Sequence, residues 1–207
     1  MDLDGTYPRM HNILKPVEGK EFAIHHFEIT KEKLKFEKLR DLIKGNMEMY
    51  GQEDGTFVRL VHLPTKEVVM SDTWMERYTN EGFVRRANGN ILIAGLGLGL
   101  IVLAVQNFAN VKSITIIEKS KEVIELVAPQ LPLNEKVKII EGDIFNFVPS
   151  MKYDIIYFDI WNKILGDNYE EMKNLHKKYS RYLNRSNPSC WMKSWRVEDC
   201  RKRYLEK

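Results

Sequence analysis

Six residues carry the chemistry this sequence could do: glycines 95, 97 and 99, and the acids Glu118, Asp143 and Asp159. Each acid stands at or just past the end of an apolar, β-branched run: Val111 to Ile117, Val137 to Ile140, and Asp154 to Phe158. Glu118 lies nineteen positions beyond Gly99, where a carboxylate can accept both hydroxyls of a ribose. The glycines interrupt Asn90-Ile-Leu-Ile-Ala-Gly-Leu-Gly-Leu-Gly-Leu-Ile-Val-Leu-Ala-Val-Gln106, where one apolar run turns into a second. Glycine there reaches backbone angles closed to other residues and lets a ligand approach the main chain without a Cβ in the way. Alternate glycines also simply permit close helix–strand packing, and a single acid after a strand is more often a turn residue or cap. Their joint placement favours one cradle for a nucleotide-type cofactor.

The elements that must position these groups can be read from the same runs. Ile91 to Ala94 is continuously apolar, as suits a parallel strand buried on both faces. A helix from about Gly99 to Phe108 would point its free N–H groups and positive dipole end at whatever the loop holds. In an open parallel sheet the ligand crevice lies beyond the carboxyl ends of the strands. The glycine loop and the three acids therefore converge on one place.

The order of glycine loop, Glu118, Gly142-Asp143 and Tyr-Asp-Ile-Ile-Tyr-Phe-Asp159 resembles the class I S-adenosylmethionine-dependent methyltransferases, over roughly residues 69 to 195. The likeness is greatest to their spermidine-synthase-like branch, because Ile93 is apolar where many methyltransferases carry an acid. The resemblance implies S-adenosylmethionine as cofactor and S-adenosylhomocysteine as product. It places Gly95, Leu96, Gly97 and Gly99 under the methionine part, Glu118 on the ribose with Lys119 beside it, and Asp143 and Ile144 on the adenine. Asp159 matches the acid that faces the reacting centre, the expected catalytic group. Tyr78, on the helix that forms one wall of such sites, is an acceptor-side candidate, with core packing as its other reading. Trp161 either stacks on the adenosine or acceptor or plugs the crevice.

Polyamine synthases carry an aspartate where this chain has Leu98, a second acid where it has Asn162, and a glutamine near Met70. A desolvated ammonium without those counter-charges costs on the order of several kcal/mol. Methyl transfer to an unidentified small-molecule acceptor is therefore the leading expectation. Aminopropyl transfer, or cofactor binding without turnover, is the alternative.

The expected architecture is α/β: a Rossmann-like doubly wound parallel sheet in the order 3-2-1-4-5, truncated after the fifth strand, with a small N-terminal β-rich appendage. Residues 1–70 form the appendage and 71–207 the cofactor-binding domain. Residues 1–20 read as an extended arm or irregular edge strand ending in a Glu-Gly-Lys turn, and Glu21 to Ile29 as a strand. Thr30 can cap a helix from Lys31 to Lys44, stopped by Gly45-Asn46, whose stripe of Phe36, Leu39, Leu42 and Ile43 would face a small sheet. Thr56 to Leu63 and Glu67 to Met70 flank Pro64-Thr65-Lys66 as a hairpin. Ser71-Asp72-Thr73 starts the next helix, with Thr73 and Glu76 at capping-box spacing and Asn88-Gly89 at its end. Asn168 can cap a helix with Tyr169, Met172, Leu175, Tyr179 and Tyr182 on one stripe. Ser189 to Trp195 reads as the fifth strand and Glu198 to Leu205 as a last helix. An uncovered fifth strand is an exposed edge, so that helix, the N-terminal arm or a second copy, in a homodimer, is expected over it.

Composition narrows the class further. The 207 residues, 43% hydrophobic, suffice for one packed core, and no apolar run approaches the ~20 residues that cross a bilayer. The N-terminus Met-Asp-Leu-Asp-Gly lacks a basic region followed by an apolar core, and Cys190 and Cys200 have no disulfide or zinc spacing, which together suggest reduced thiols and a cytoplasmic location. His25, His26 and His62 have no acid or cysteine at ligand spacing, so no metal is expected. The net charge of +3 does not point to nucleic acid. The basic runs with tyrosines, His176 to Arg185 and Arg201 to Tyr204, read as solvated helix faces in preference to a nucleic-acid surface.

Overall fold

A computed structural model describes residues 6–43 and 51–206. The Gly45-Asn46 helix stop and the Met1–Gly5 terminus lie outside the described residues. In chain order the elements are a 3-10 turn (Met10–Asn12), β1 (Val17–Glu18), β2 (Phe22–Ile29), α1 (Lys31–Ile43), β3 (Gly55–His62), β4 (Glu67–Ser71) and α2 (Trp74–Val84). There follow β5 (Gly89–Ala94), α3 (Leu100–Val105), β6 (Val111–Glu118), α4 (Lys121–Val127), β7 (Val137–Glu141), β8 (Ile155–Phe158), α5 (Gly166–Tyr179), β9 (Trp191–Ser194) and α6 (Val197–Leu205).

Two sheets result. One is antiparallel in the order β1-β2-β3-β4; the other is parallel in the order β7-β6-β5-β8-β9, the expected 3-2-1-4-5. The central strand β5 explains why its run is apolar throughout. Ile91 and Ile93 join the core on one face, with Leu98, Leu60 and Met10, while Leu92 and Ala94 join Phe158, Leu175 and Tyr179 on the other. All six residues of α3 are buried, so it needs no polar face. A register shift between Leu60 and Val61 lets β4 bring Met70 and Ser71 to the glycine loop, where Met70 Sδ accepts the Leu98 N–H at 3.2 Å.

Several local expectations need correction. The N-terminal segment is more than an extended arm: Val17–Glu18 forms the short edge strand of its other reading, Met10 and Leu14 are fully buried, and His26 Nε2 meets the Leu14 carbonyl at 2.6 Å. Thr30 does cap α1, but the helix packs through Leu34 against Ile29 and Phe57. Its proposed stripe, Phe36, Leu39, Leu42 and Ile43, is exposed. Thr73 makes no side-chain cap bond, and Glu76 turns inward instead. Helix α2 stops at Val84 because Arg86 and Ala87 form i+3 turns, and Gly89, at φ +62°, opens β5 instead of closing the helix. Asn168 lies inside α5, whose N-cap is Leu165. Asp72 does not cap: wholly buried, it accepts the Val58 N–H at 2.7 Å and ties α2 to the hairpin. No helix among the described residues is long and apolar enough to cross a membrane.

Candidate active site

The carboxyl ends of β5, β6, β7 and β8 open onto a cavity of about 460 Å³. Gly95, Leu96, Gly97, Glu118, Lys119, Asp143, Ile144, Asp159 and Trp161 all line it. Nine of the eleven residues singled out from the sequence are therefore brought together. Gly99 is not among them; it takes φ +77° at the start of α3 and backs onto Leu131. Tyr78 is not either. It is 59% exposed, stacks on Trp74 at 4.7 Å, and faces a separate cleft beside Arg196 and Asp199.

The glycines are demanded by the protein itself. Gly95 and Gly97 take φ +98° and +51°, and a Cβ on them would fall 2.2 Å from the Asp159 carbonyl oxygen and 2.2 Å from Met70 Sδ. Both open alternatives in the sequence therefore apply: the loop is tightly packed from behind and borders a hollow in front. Glu118 fixes it in place, with Oε2 accepting the Leu96 N–H and Oε1 the Ser120 N–H, each at 2.8 Å. Each oxygen retains acceptor capacity, so this carboxylate could still take two hydroxyls from the cavity side.

Asp143 accepts the Phe145 N–H at 2.9 Å and lies 3.2 Å from Lys119 Nζ. The backbone hydrogen bond, then Lys119, holds its carboxyl below the usual range, so it stays an acceptor at neutral pH. The Asp143–Phe145 loop is held from α5: Tyr179 donates to the Ile144 carbonyl at 2.8 Å and Lys178 to that of Phe145 at 2.7 Å. Part of the basic, tyrosine-rich run thus serves the site's geometry. Trp161 is anchored at the cavity wall by its Nε1–H, which donates to Glu171 at 2.8 Å.

Glu76 was missed, and it lines the same cavity. It is 91% buried by exposure of 9%, accepts Asn80 Nδ2 at 2.9 Å, and Asn80 in turn accepts the Tyr157 hydroxyl at 2.8 Å. The signal was available: Glu76, Asn80 and Phe83 recur on one helical stripe, and a polar pair on a core-facing stripe asks for a partner. Asp159 makes no hydrogen bond or ion pair through its carboxylate among the described residues. Burial pushes the carboxyls of Asp159 and Glu76 well above the usual range, and the charge on Asp159 raises Glu76 further. The pair thus gains and loses a proton around neutrality, the condition for moving one.

The histidines on the N-terminal sheet have ordinary partners: His25 meets Glu18, and His62 meets Thr65. Among the described residues no group of His, Cys, Asp and Glu is arranged to hold a metal ion, and both cysteines are free.

No protein-family model and no curated protein matches the sequence. Solved structures match in part. The DhpI–SAH complex shares 17% identity over 57% of this chain and 54% of its own, with a TM-score of 0.44. The glycopeptide N-methyltransferase MtfA complexed with S-adenosyl-L-methionine shares 15% over 56% and 47%, at 0.42. N-methyltransferase NodS from Bradyrhizobium japonicum WM9, with S-adenosyl-L-homocysteine, shares 18% over 54% and 58%, at 0.43. The chain spans about half the length of these structures. Likeness at this level leaves the activity to be read from the chain's own geometry.

Proposed function

We propose that the chain binds S-adenosylmethionine in this cavity and transfers its methyl group to a small-molecule acceptor. The observation that carries the reading is a hollow bounded by a positive-φ glycine loop and by carboxylates at three consecutive strand ends. The donor set suits the group. Glu118 offers acceptor capacity for the ribose hydroxyls, ionised Asp143 for the adenine amine, and buried Ile144 an apolar flank. When bound, the cofactor would supply an electrophilic methyl carbon on a sulfonium, already activated toward a lone pair of the acceptor. Asp159, with its raised proton affinity, receives the proton that the acceptor loses. Glu76, the neighbouring acid, is held in place by Asn80, which Tyr157 holds in turn. Trp161 and Phe145 add aromatic surface to the cavity lining. The rest of the task is alignment of donor and acceptor, which a fixed cavity provides.

Mass spectrometry of the purified native chain tests this reading. An adenosyl compound should co-purify and be depleted in Glu118→Ala; a clean apo mass in both, persisting after incubation with the cofactor, contradicts it.

A further inference from the structure

Five acids line the cavity: Glu76, Glu118, Asp143, Asp159 and Glu171. Four already hold donors. Glu118 holds two backbone N–H groups, Asp143 a backbone N–H and Lys119, Glu171 the Trp161 indole, and Glu76 the Asn80 amide. Asp159 alone has no hydrogen-bonding or ion-pairing partner among the described residues, and it stands near Glu76 in a part-buried place. A carboxylate in that position needs a donor from outside the chain.

Resting on the cofactor reading above, we propose that Glu76 and Asp159 form the acceptor subsite and that it takes an amine nitrogen carried on an apolar body. An incoming ammonium brings three donors and a positive charge that favours the ionised, acceptor-only form of the neighbouring acids. A hydroxyl could serve Asp159 but brings no charge to the two neighbouring acids, and a carboxylate or phosphate acceptor would be repelled. The other ionisable groups facing the pair are Tyr7, Tyr157 and Arg196. Burial keeps both tyrosines neutral, so Arg196 is the one resident cation among them and does not replace the missing donor.

The body of the acceptor follows from the walls. Phe22, Leu60, Met75 and Trp195 line the cavity with the pair, and Val68 and Ile160 stand at 46% and 37% exposure among its lining. An aryl or alkyl group is accommodated there, while the second ammonium of a linear diamine would meet apolar surface or acids already engaged.

Calorimetric titration of the whole chain at neutral pH with phenethylamine, 2-phenylethanol and putrescine tests the assignment. Phenethylamine should bind at least about tenfold more tightly than either of the others, and Asp159→Asn should remove that preference. Glu76→Gln should do the same; if it fails to fold, Asp159→Asn, whose side chain holds nothing else in place, decides. Equal binding of the amine and the alcohol, tighter binding of putrescine, or a preference that survives in Asp159→Asn overturns the proposal. A parallel titration with S-adenosylhomocysteine separates the two readings. If it does not bind, the cofactor assignment falls, and the amine–alcohol comparison on the chain alone still decides the amine site.

Discussion

Asp154 and Asp159 bracket the same strand, β8, and the fold treats their carboxylates in opposite ways. Asp154, at the amino end and 5% exposed, accepts the Asn90 N–H at 2.7 Å and the Asn184 and Asn187 amides at 2.8 and 2.9 Å. Burial would raise its pKa, but those hydrogen bonds outweigh it and leave the group below the usual value. Asp159, at the carboxyl end, has no such donors and faces a cavity, so burial acts unopposed. One acid is spent on joining β5, β8 and the loop before β9. The other is kept uncommitted where a ligand would arrive. The same residue type on one strand is structural at one end and chemical at the other because donors were supplied at only one end.

The largest expected effect sets the two against each other. Asp154→Ala leaves the part-buried Asn90 N–H and Asn184 amide without this acceptor, takes one of two from Asn187, and should cost about 3 kcal/mol in urea unfolding. Asp159→Asn should stay within about 0.5 kcal/mol of the parent at neutral pH or exceed it, since it removes a desolvated charge. Equal losses would break the contrast. Next comes Gly89→Ala, whose Cβ would fall 2.1 Å from Asp154 Oδ2 at φ +62°. It should cost about 2 kcal/mol by disturbing the same cluster.

A pH series of unfolding midpoints sharpens the comparison. The Asp154 pKa is depressed by folding from 3.8, so its contribution is present above that value and is lost as pH falls through the lower one. Asp159 is pushed up to about 7 from 3.8 and Glu76 to about 8 from 4.5, so the folded chain binds their protons more tightly. Their contribution is complete below about pH 4 and is lost as pH rises through 7 to 8. Asp159→Asn should flatten the loss on the alkaline side and leave the acid side unchanged; an unaltered profile would remove the open-acid assignment. The smallest effect is expected at Met70→Leu, where loss of the thioether acceptor for the Leu98 N–H should cost about 0.5–1 kcal/mol in the same assay.

The sheet and its strand order were legible because buried parallel strands are apolar on both faces, as β5 and β8 show, and because β6 is β-branched through most of its length. The convergence of Glu118, Asp143 and Asp159 followed from the topology alone. What escaped depended on tertiary partners. Glu76 stands three residues after Thr73, the same spacing as a capping box, which masked the stripe it shares with Asn80 and Phe83; Tyr157 beside Asn80 decides between the two. The α1 stripe has helical period, yet Leu34 is the contact that finds a neighbour. Tyr78 shares a helix with Glu76 but falls on its opposite side, a difference of two positions that turns a side chain away from the cavity. The role of Gly97 against Met70 could not be read without the register shift in the hairpin.

The central claim is that an adenosyl group lies across the carboxyl ends of these strands, with Glu118 on its sugar. Isothermal titration of the whole chain with S-adenosylhomocysteine tests it most directly. Saturable one-to-one binding is expected, weakened in Glu118→Ala by about 1–3 kcal/mol without unfolding of the chain. No binding, or the same affinity in a folded Glu118→Ala, would contradict it.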